Sequence, residues 1–315
     1  MEPPRLNIFY RLLLAFAVIS GAGTLSGFFG KSWWAFEAFS CFRVHFFLGL
    51  AMASFVFIRI RDYPKTAVFA VLAAVNFYHL IPYYLTPAGS AESGKPLRVV
   101  TLNVHTGNHR WDLVLDYIAS NSPEIVLLTE VNEEWLTKVK ALEKDYPYSI
   151  SKPRSDNFGI VLFSKIPPDR LELLNLATEE IPSILMTFQI GSSPCTLIGT
   201  HPLPPRNYEY TFIRNGQLKL IGNFFRDVQG PKILLGDLNT TPWSSYFHDL
   251  LTEAGLKDSA MGFGISVTWP VQAWWLFGIP IDHCLVSPDL TVKSRKVGPS
   301  VGSDHYPILV DISFP

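Results

Sequence analysis

Close to its end the chain reads Gly302-Ser303-Asp304-His305-Tyr306-Pro307, a carboxylate beside an imidazole just ahead of an apolar run at 308–312. Alone the pair is ordinary, because Ser-Asp commonly caps turns and helices. Upstream, however, other polar residues close apolar runs in the same manner: Asn103, Glu130, His201 in Gly199-Thr200-His201, Asp237 and Asn239 in Gly236-Asp237-Leu238-Asn239, and Asp282 in Ile281-Asp282-His283. These residue types suit hydrolysis of a phosphoester. That reaction needs a cation against oxyanion charge, a base for water, and an acid or electrophile for the leaving oxygen. Glu130, Asp237 and either Asn103 or Asn239 offer hard oxygen donors for Mg²⁺, which Mn²⁺ also accepts, and Glu130 is the first choice as ligand. His305 is the candidate base, with Asp282 orienting its imidazole, and His201 the candidate partner of the phosphoryl oxygens or leaving group.

The elements that must carry these groups are strands. Runs at 98–104, 124–130, 158–163, 183–190, 195–200, 232–235, 281–286 and 308–312 are apolar and rich in β-branched residues, as buried strands are. Trp111, Val114, Leu115 and Ile118 recur at helical spacing, a second helix is expected from Asn132, as its N-cap, to Lys144, and a third, amphipathic one over 207–228. Many strands with a few intervening helices predict a layered α/β sandwich of two packed sheets with helices outside. The polar candidates fall at strand ends, where a rigid scaffold presents chemistry. Asp282 and the neighbouring His283 point to opposite faces if that run is a strand, so His283 is left out. His105, His109 and His248 have no matching role and read as surface or structural.

The ordered set Leu102-Asn103, Leu128-Thr129-Glu130, Gly199-Thr200-His201, Gly236-Asp237-Leu238-Asn239, Val267-Thr268-Trp269, Ile281-Asp282-His283 and Gly302-Ser303-Asp304-His305-Tyr306-Pro307 resembles the endonuclease/exonuclease/phosphatase superfamily. That group includes pancreatic deoxyribonuclease, abasic-site endonucleases, inositol polyphosphate phosphatases and neutral sphingomyelinases. The resemblance implies a four-layered α/β/β/α sandwich and Mg²⁺ at Glu130 with Asn103 and Asp304 close by. It also implies phosphate contacts from Asn239 and His201, His305 paired with Asp282, and Asp237 close to the attacking water. Where the superfamily often adds a tyrosine or other polar residue for substrate, this chain has Asn157 within Asp156-Asn157-Phe158.

At 315 residues with 48% hydrophobic content, the chain exceeds an average domain, and the apolar excess lies at its front. Residues 12–29, 44–58 and 66–86 lack Asp, Glu, Lys and Arg, which predicts three transmembrane helices, the short second one relying on Arg43 and Arg59 reaching the interfaces. Arg5, Arg11, Arg59, Arg61 and Lys65 then lie on one side, the expected cytoplasmic one, against Lys31 and Arg43 on the other, so three crossings place the remainder outside the cytoplasm. Gly23 and Gly27 have the spacing of a helix-packing seam, with His45, Asn76 and His79 as polar groups at membrane depth. The expected organisation is an anchor at 1–86, a small polar linker at 87–96 and a catalytic domain at 97–315.

Residues 97–315 carry 18 Lys and Arg against 23 Asp and Glu, a balance of −5. An acidic domain is a poor non-specific binder of nucleic acid. Cys41, Cys195 and Cys284 form no metal-binding spacing, and the latter two read as packed strand residues, a bridge between them being the lesser alternative. The aromatic stretch 269–280 leads into Asp282 and either faces an interface or an acyl chain, with Trp274 and Trp275 as the exposed pair, or covers the sheet as ordinary core. The function expected is a membrane-anchored, Mg²⁺-dependent phosphoesterase acting outside the cytoplasm, on a phospholipid or lipid-linked headgroup. An extracytoplasmic nuclease and a catalytically silent binding module are the alternatives.

Overall fold

A computed structural model of the protein describes residues 8–87, 95–176, 181–191, 193–273 and 277–314. The chain divides into two compact units, Met1–Pro82 with Trp243–Ser245, and Tyr83–Pro242 with Tyr246–Pro315.

The first unit is helical. α1 (Ile8–Ser26) runs into a 3₁₀ turn at Gly27–Phe29, and α2 (Trp34–Ser40), α3 (Arg43–Arg59) and α4 (Tyr63–Leu80) follow, with the single turn α5 (Pro82–Leu85) after them. Asp62 caps α4, its side chain accepting from the Lys65 amide, and Pro64 occupies the first turn, where its missing N–H costs nothing. Leu13, Ala17, Leu50, Ala53, Phe57, Phe69 and Ala73 form a core shared by α1, α3 and α4. The small-residue seam is intramolecular: Thr24, within it, accepts a 2.9 Å hydrogen bond from Asn76 Nδ2.

The expectation of three spans is corrected. Only Ile8–Phe29 is, by itself, long and apolar enough to cross a membrane among the described residues; Trp34–Ser40 and Arg43–Arg59 reach that standard only jointly, across a 63° bend. The third apolar run, 66–86, is not one helix, because α4 stops at Leu80 and Pro82 opens a separate turn. Proline has no N–H to continue the ladder.

The second unit contains β1 (Leu97–Asn103), α6 (Trp111–Asn121), β2 (Ile125–Thr129), α7 (Glu133–Val139), β3 (Tyr148–Lys152), β4 (Ile160–Ser164), β5 (Pro168–Asn175), β6 (Pro182–Ile190) and β7 (Ser193–Thr200). α8 (Tyr208–Arg226), β8 (Lys232–Asp237), α9 (Ser245–Ala254), β9 (Lys257–Asp258), β10 (Asp282–Val286), β11 (Thr291–Val297) and β12 (Ile308–Ser313) complete it. The expected Asn132 cap forms, its side chain accepting from the Trp135 amide, and Asn207 caps α8 by accepting from the Tyr210 amide. The strands make two six-stranded sheets, ordered β11-β12-β1-β2-β4-β3 and β5-β6-β7-β8-β10-β9. β1 and β2 pair in parallel, as do β7 and β8, so each pair needs a crossover, supplied by α6 and α8.

Strand alternation sends one set of side chains between the sheets and the other toward helices. Val99, Leu127 and Leu162 meet Ile184, Leu197, Leu235 and Cys284 in the central core. Leu102, Val126 and Leu128 pack on Val114, Ile118 and Trp135 on one outer side, and Ile198, Leu234 and Leu285 pack on Ile221, Phe225 and Phe247 on the other. The result is a mixed α/β sandwich with two sheets inside and helices outside. Cys195 and Cys284 are buried and free. β8 lies between their strands, which separates them laterally by roughly 9–10 Å, and the register displaces them further along the sheet, beyond disulfide reach.

Candidate active site

The same alternation builds the site. Along β7, β8 and β10 the residues facing the opposite sheet are apolar until the strand end, where His201, Asp237 and Asp282 take their place, and on β1 Leu97 and Val99 lead through buried Thr101 to Asn103. All four converge on one edge of the sandwich. β10 runs antiparallel to β8 with Asp282 opposite Asp237, and β12 runs antiparallel to β1 with Ile308 opposite Thr101, so the tail bearing Asp304 and His305 reaches the same edge. Gly236 makes the turn of β8 into the site: its φ is +142°, and a Cβ there would collide with the Thr200 carbonyl oxygen.

Asp237 is at the centre. Its Oδ2 accepts from Asn103 Nδ2 at 3.1 Å and lies 3.4 Å from His201 Nε2 and 3.7 Å from His305 Nε2. Its Oδ1 accepts from the Asn239 amide at 2.9 Å. His305 Nδ1 is 2.9 Å from Asp282 Oδ2, and the Asp282 amide donates to Thr268 Oγ1 at 3.2 Å. Asn239 Nδ2 lies 3.3 Å from His201 Nε2 and donates to the Pro202 carbonyl at 2.9 Å, while its own carbonyl accepts from buried Arg214 at 2.9 Å.

His201, Asp237, Asp282 and His305 are all at most 4% exposed. Charges so buried persist only when paired. Burial lowers the His305 pKa, but the charges of Asp282 and Asp237 outweigh it and hold the ring well above the ordinary histidine value. The reciprocal effect, chiefly the His305 charge, overcomes burial at Asp237 and depresses its carboxyl. At Asp282 burial wins and the carboxyl is raised. His201 is raised because Asp237 offsets its burial.

Beside this floor stands a second, more open group. Glu130, at φ +60° directly after β2, accepts from Asn103 Nδ2 at 2.9 Å through Oε1, and its carbonyl accepts from Thr106 Oγ1 at 2.9 Å. Asp304 Oδ2 accepts from Trp269 Nε1 at 3.1 Å. Ser303 Oγ, buried, donates to the Asn103 carbonyl at 2.7 Å and accepts from the His305 amide at 3.0 Å. Left-handed backbone at Glu130, Asn239 and His105 (φ +60°, +49° and +59°) is costly for residues with a Cβ, and such strain gathers at functional sites.

Of the nine residues expected, eight meet here. Asn157 does not: it is exposed in the loop between β3 and β4, and its neighbour Phe158 instead packs on the His201 ring, centroids 5.6 Å apart. His283 is buried, its Nε2 2.9 Å from the Thr240 carbonyl and its ring against Phe247. His109 lies on the surface near Glu134, and His248 is exposed on α9. His105 is partly exposed, as expected, and borders the site: its Nδ1 lies 3.6 Å from both Glu130 Oε2 and Asp304 Oδ1. No local pattern marked it, because β1 ends at Asn103 and a left-handed backbone at φ +59° turns His105 toward Glu130. Thr268, Trp269 and Ser303 support the site from within motifs whose roles depend on tertiary contacts. Trp274 and Trp275 lie outside the described residues.

Among the described residues, Asp237, Asp282 and His305 form a cluster whose ligand atoms all fall within 4.8 Å of one another. The Asp282–His305 hydrogen bond already occupies two of those atoms, whereas Glu130 and Asp304, at 15% and 30% side-chain exposure, are more open. A cation fits the latter group better.

A model of the Endonuclease/Exonuclease/phosphatase family matches residues 100–305. The UPF0294 protein VP2298 of Vibrio parahaemolyticus is 29% identical over 109 residues, 33% of this chain and 34% of its own length, so the match spans about a third of that relative. Among solved structures, D. rerio TDP2 complexed with single strand DNA product shares 16% identity at a TM-score of 0.60, covering 70% of this chain and 100% of its own. The endonuclease/exonuclease/phosphatase from Bacteroides vulgatus shares 19% at 0.59, with 70% and 100% covered. At these identities the likeness is one of fold. With the family model spanning both sheets and every strand end described above, the chain belongs to the endonuclease/exonuclease/phosphatase family, whose members hydrolyse phosphoester bonds.

Proposed function

We propose that the protein is a membrane-anchored, Mg²⁺-dependent phosphoesterase, with residues 1–86 as anchor, 87–96 as linker and 97–315 as catalytic domain. The observation carrying the chemistry is Asp237 flanked by two imidazoles, with the Glu130 and Asp304 oxygens opening beside it. Bound there, a divalent cation supplies charge neutralisation for the phosphoryl oxygens. Glu130 and Asp304 would hold it. Asn103 contributes differently: its Nδ2 donates to Glu130 and Asp237 while its Oδ1 accepts from the His105 amide at 3.0 Å. It aims both carboxylates, and the second lone pair of its Oδ1 remains able to face the cation.

Asp237, kept ionised by its neighbours, orients the attacking water and takes its proton as the water oxygen bonds to phosphorus and the ester P–O bond breaks. His305 is kept protonated by Asp282 and Asp237, so it serves as a fixed positive charge and donor to the phosphoryl oxygens rather than as the base. His201 and Asn239 Nδ2 provide further donors.

Attachment to a membrane is supported by the helical unit's surface. Twenty-four of the twenty-nine exposed large hydrophobic side chains among the described residues belong to residues 8–85, including Phe9, Leu12, Ile19, Met52, Phe55 and Val71. Water does not tolerate so continuous an apolar surface. Ile8–Phe29 supplies the crossing, and the Arg5 and Arg11 flank directs the catalytic domain to the non-cytoplasmic side. A phosphoester in or on that bilayer, a phospholipid or lipid-linked headgroup, is the substrate within reach.

The test is hydrolysis by the detergent-solubilised full chain with Mg²⁺ and with EDTA, across phospholipids, lipid phosphates and DNA. Mg²⁺-dependent release of a lipid headgroup, abolished in Glu130→Ala, is expected. Cleavage of DNA with every lipid untouched would establish the second reading, a nuclease, favoured by the fold shared with D. rerio TDP2, which was captured with single strand DNA product. That activity would fall steeply with salt.

A further inference from the structure

We propose that His105 is a ligand of the divalent cation, giving the site a nitrogen donor and a preference for Mn²⁺ over Mg²⁺; this rests on the metal-dependent reading above. Three observations point to it. His105 Nδ1 is equidistant, at 3.6 Å, from Glu130 Oε2 and Asp304 Oδ1, the carboxylate oxygens that Asn103 and Trp269 leave to other partners. That separation is too long for a hydrogen bond, so Nδ1 donates to neither oxygen. Ligands at right angles around a small divalent ion stand about 3 Å apart, given bonds of about 2.1 Å, so closing by about half an ångström brings the nitrogen and either carboxylate oxygen to the spacing that one ion requires.

The backbone holds the ring in place. His105 is left-handed at φ +59°, its amide donating to Asn103 Oδ1 at 3.0 Å and its carbonyl accepting from the Asn108 amide at 2.8 Å. On its far side the ring abuts Gly107, where a Cβ would come within 3.1 Å of Nε2. The bare glycine leaves room for the ring to keep Nδ1 turned inward. The side chain is 44% exposed, so waters and a phosphoryl oxygen can complete the coordination. The donor set becomes two carboxylates and an imidazole. Carboxylates alone suit Mg²⁺, whereas an imidazole moves preference toward first-row transition ions.

The experiment uses the full chain in detergent. Mn²⁺ and Mg²⁺ affinities are measured by titration calorimetry for wild type, His105→Asn and Glu130→Gln, and the Mn²⁺-loaded forms are examined by pulsed EPR for coupling to nitrogen-14. Asparagine is chosen because it accepts a left-handed backbone. Direct nitrogen coupling in wild type is expected, lost in His105→Asn, with Mn²⁺ affinity down about tenfold and Mg²⁺ affinity changed less than about twofold. No nitrogen coupling in wild type, coupling that persists in His105→Asn, or equal loss of both ions overturns the assignment. If both ions still bind and Glu130→Gln abolishes that binding, the metal-dependent reading stands without His105. If neither ion binds wild type, both readings fall together.

Discussion

Replacing Asp282 with asparagine tests whether His305 works as a charged group held by a buried partner. The side chains are nearly isosteric, so the fold should persist while one charge disappears 2.9 Å from His305 Nδ1. With the charge centres roughly 4 Å apart, the pair attracts by about 4 kcal/mol at the effective dielectric that describes protein sites, equivalent to about three pKa units. Asp237 remains 3.7 Å from Nε2, so the ring should stay above its ordinary value while losing most of those roughly three units. The sign follows from the protonated ring being the active form. Activity is full at low pH on this limb and is lost as pH rises through the folded value, so Asp282→Asn moves the alkaline limb of kcat/KM downward. Turnover at neutral pH should fall about 10²–10⁴-fold, because the amide no longer fixes the imidazole. Stability obeys the same linkage. The contribution of a raised histidine is complete below the unfolded value of about 6.5 and disappears as pH rises through the folded one, so the variant's melting temperature should depend less on pH above neutrality. A limb displaced by less than about half a unit, with turnover within about threefold of wild type, would refute the argument.

Other substitutions address the frame around that pair. Gly236→Ala forces a Cβ onto the Thr200 carbonyl and should cost more than about 2 kcal/mol, lowering the calorimetric melting temperature by about 5 °C or more. Trp269→Phe removes the 3.1 Å bond that holds Asp304, and cation affinity should drop about tenfold with little change in thermal stability. Ile19→Arg places a charge on an exposed apolar face of α1, at a cost near 3 kcal/mol at the centre of a span. Carbonate extraction should then release the chain from membranes that retain the wild type.

The strands visible in the sequence are those buried on both faces. β1, β2, β4, β6, β7, β8, β10 and β12 are apolar along most of their length, and their runs read as strands without ambiguity. β3, β5, β9 and β11 are not anticipated, and each is the edge of a sheet. Edge strands face solvent and carry charge, as Asp169, Arg170 and Glu172 do on β5 and Lys293 and Lys296 do on β11, which erases the apolar signal. α9 is missed because only Phe247, Leu250 and Ala254 are buried along its ten residues. The site was readable for a related reason. A polar residue ending a buried run has no packing role to explain it, which singles out Asn103, Glu130, Asp237 and Asp282. Nothing local marks Thr268 or Ser303, whose hydroxyls matter through residues 14 positions and 200 positions away. The third apolar run misled because hydropathy averages over Pro82, whereas the backbone cannot.

The topology explains why one edge holds both a group suited to a cation and a group suited to moving a proton. Strand, helix, strand, helix, hairpin occurs twice, as β1-α6-β2-α7-β3-β4 and β7-α8-β8-α9-β9-β10, and each copy places two parallel strands at the centre of its sheet. The first copy ends those strands in Asn103 and Glu130. The second ends them in His201 and Asp237, and adds Asp282 opposite Asp237. The two sets face each other across the sandwich, linked through Asn103 Nδ2, which reaches Glu130 at 2.9 Å and Asp237 at 3.1 Å. The tail then serves both. Asp304 joins the Glu130 side, within reach of His105, while the next residue, His305, turns to Asp282 and Asp237. Two adjacent residues can divide in this way because their side chains leave the chain in different directions, and Ser303, bonded to both Asn103 and His305, fixes the turn that aims them. A shift in that turn would displace the cation-facing and proton-facing groups together, which ties the two halves of the chemistry to a single short segment.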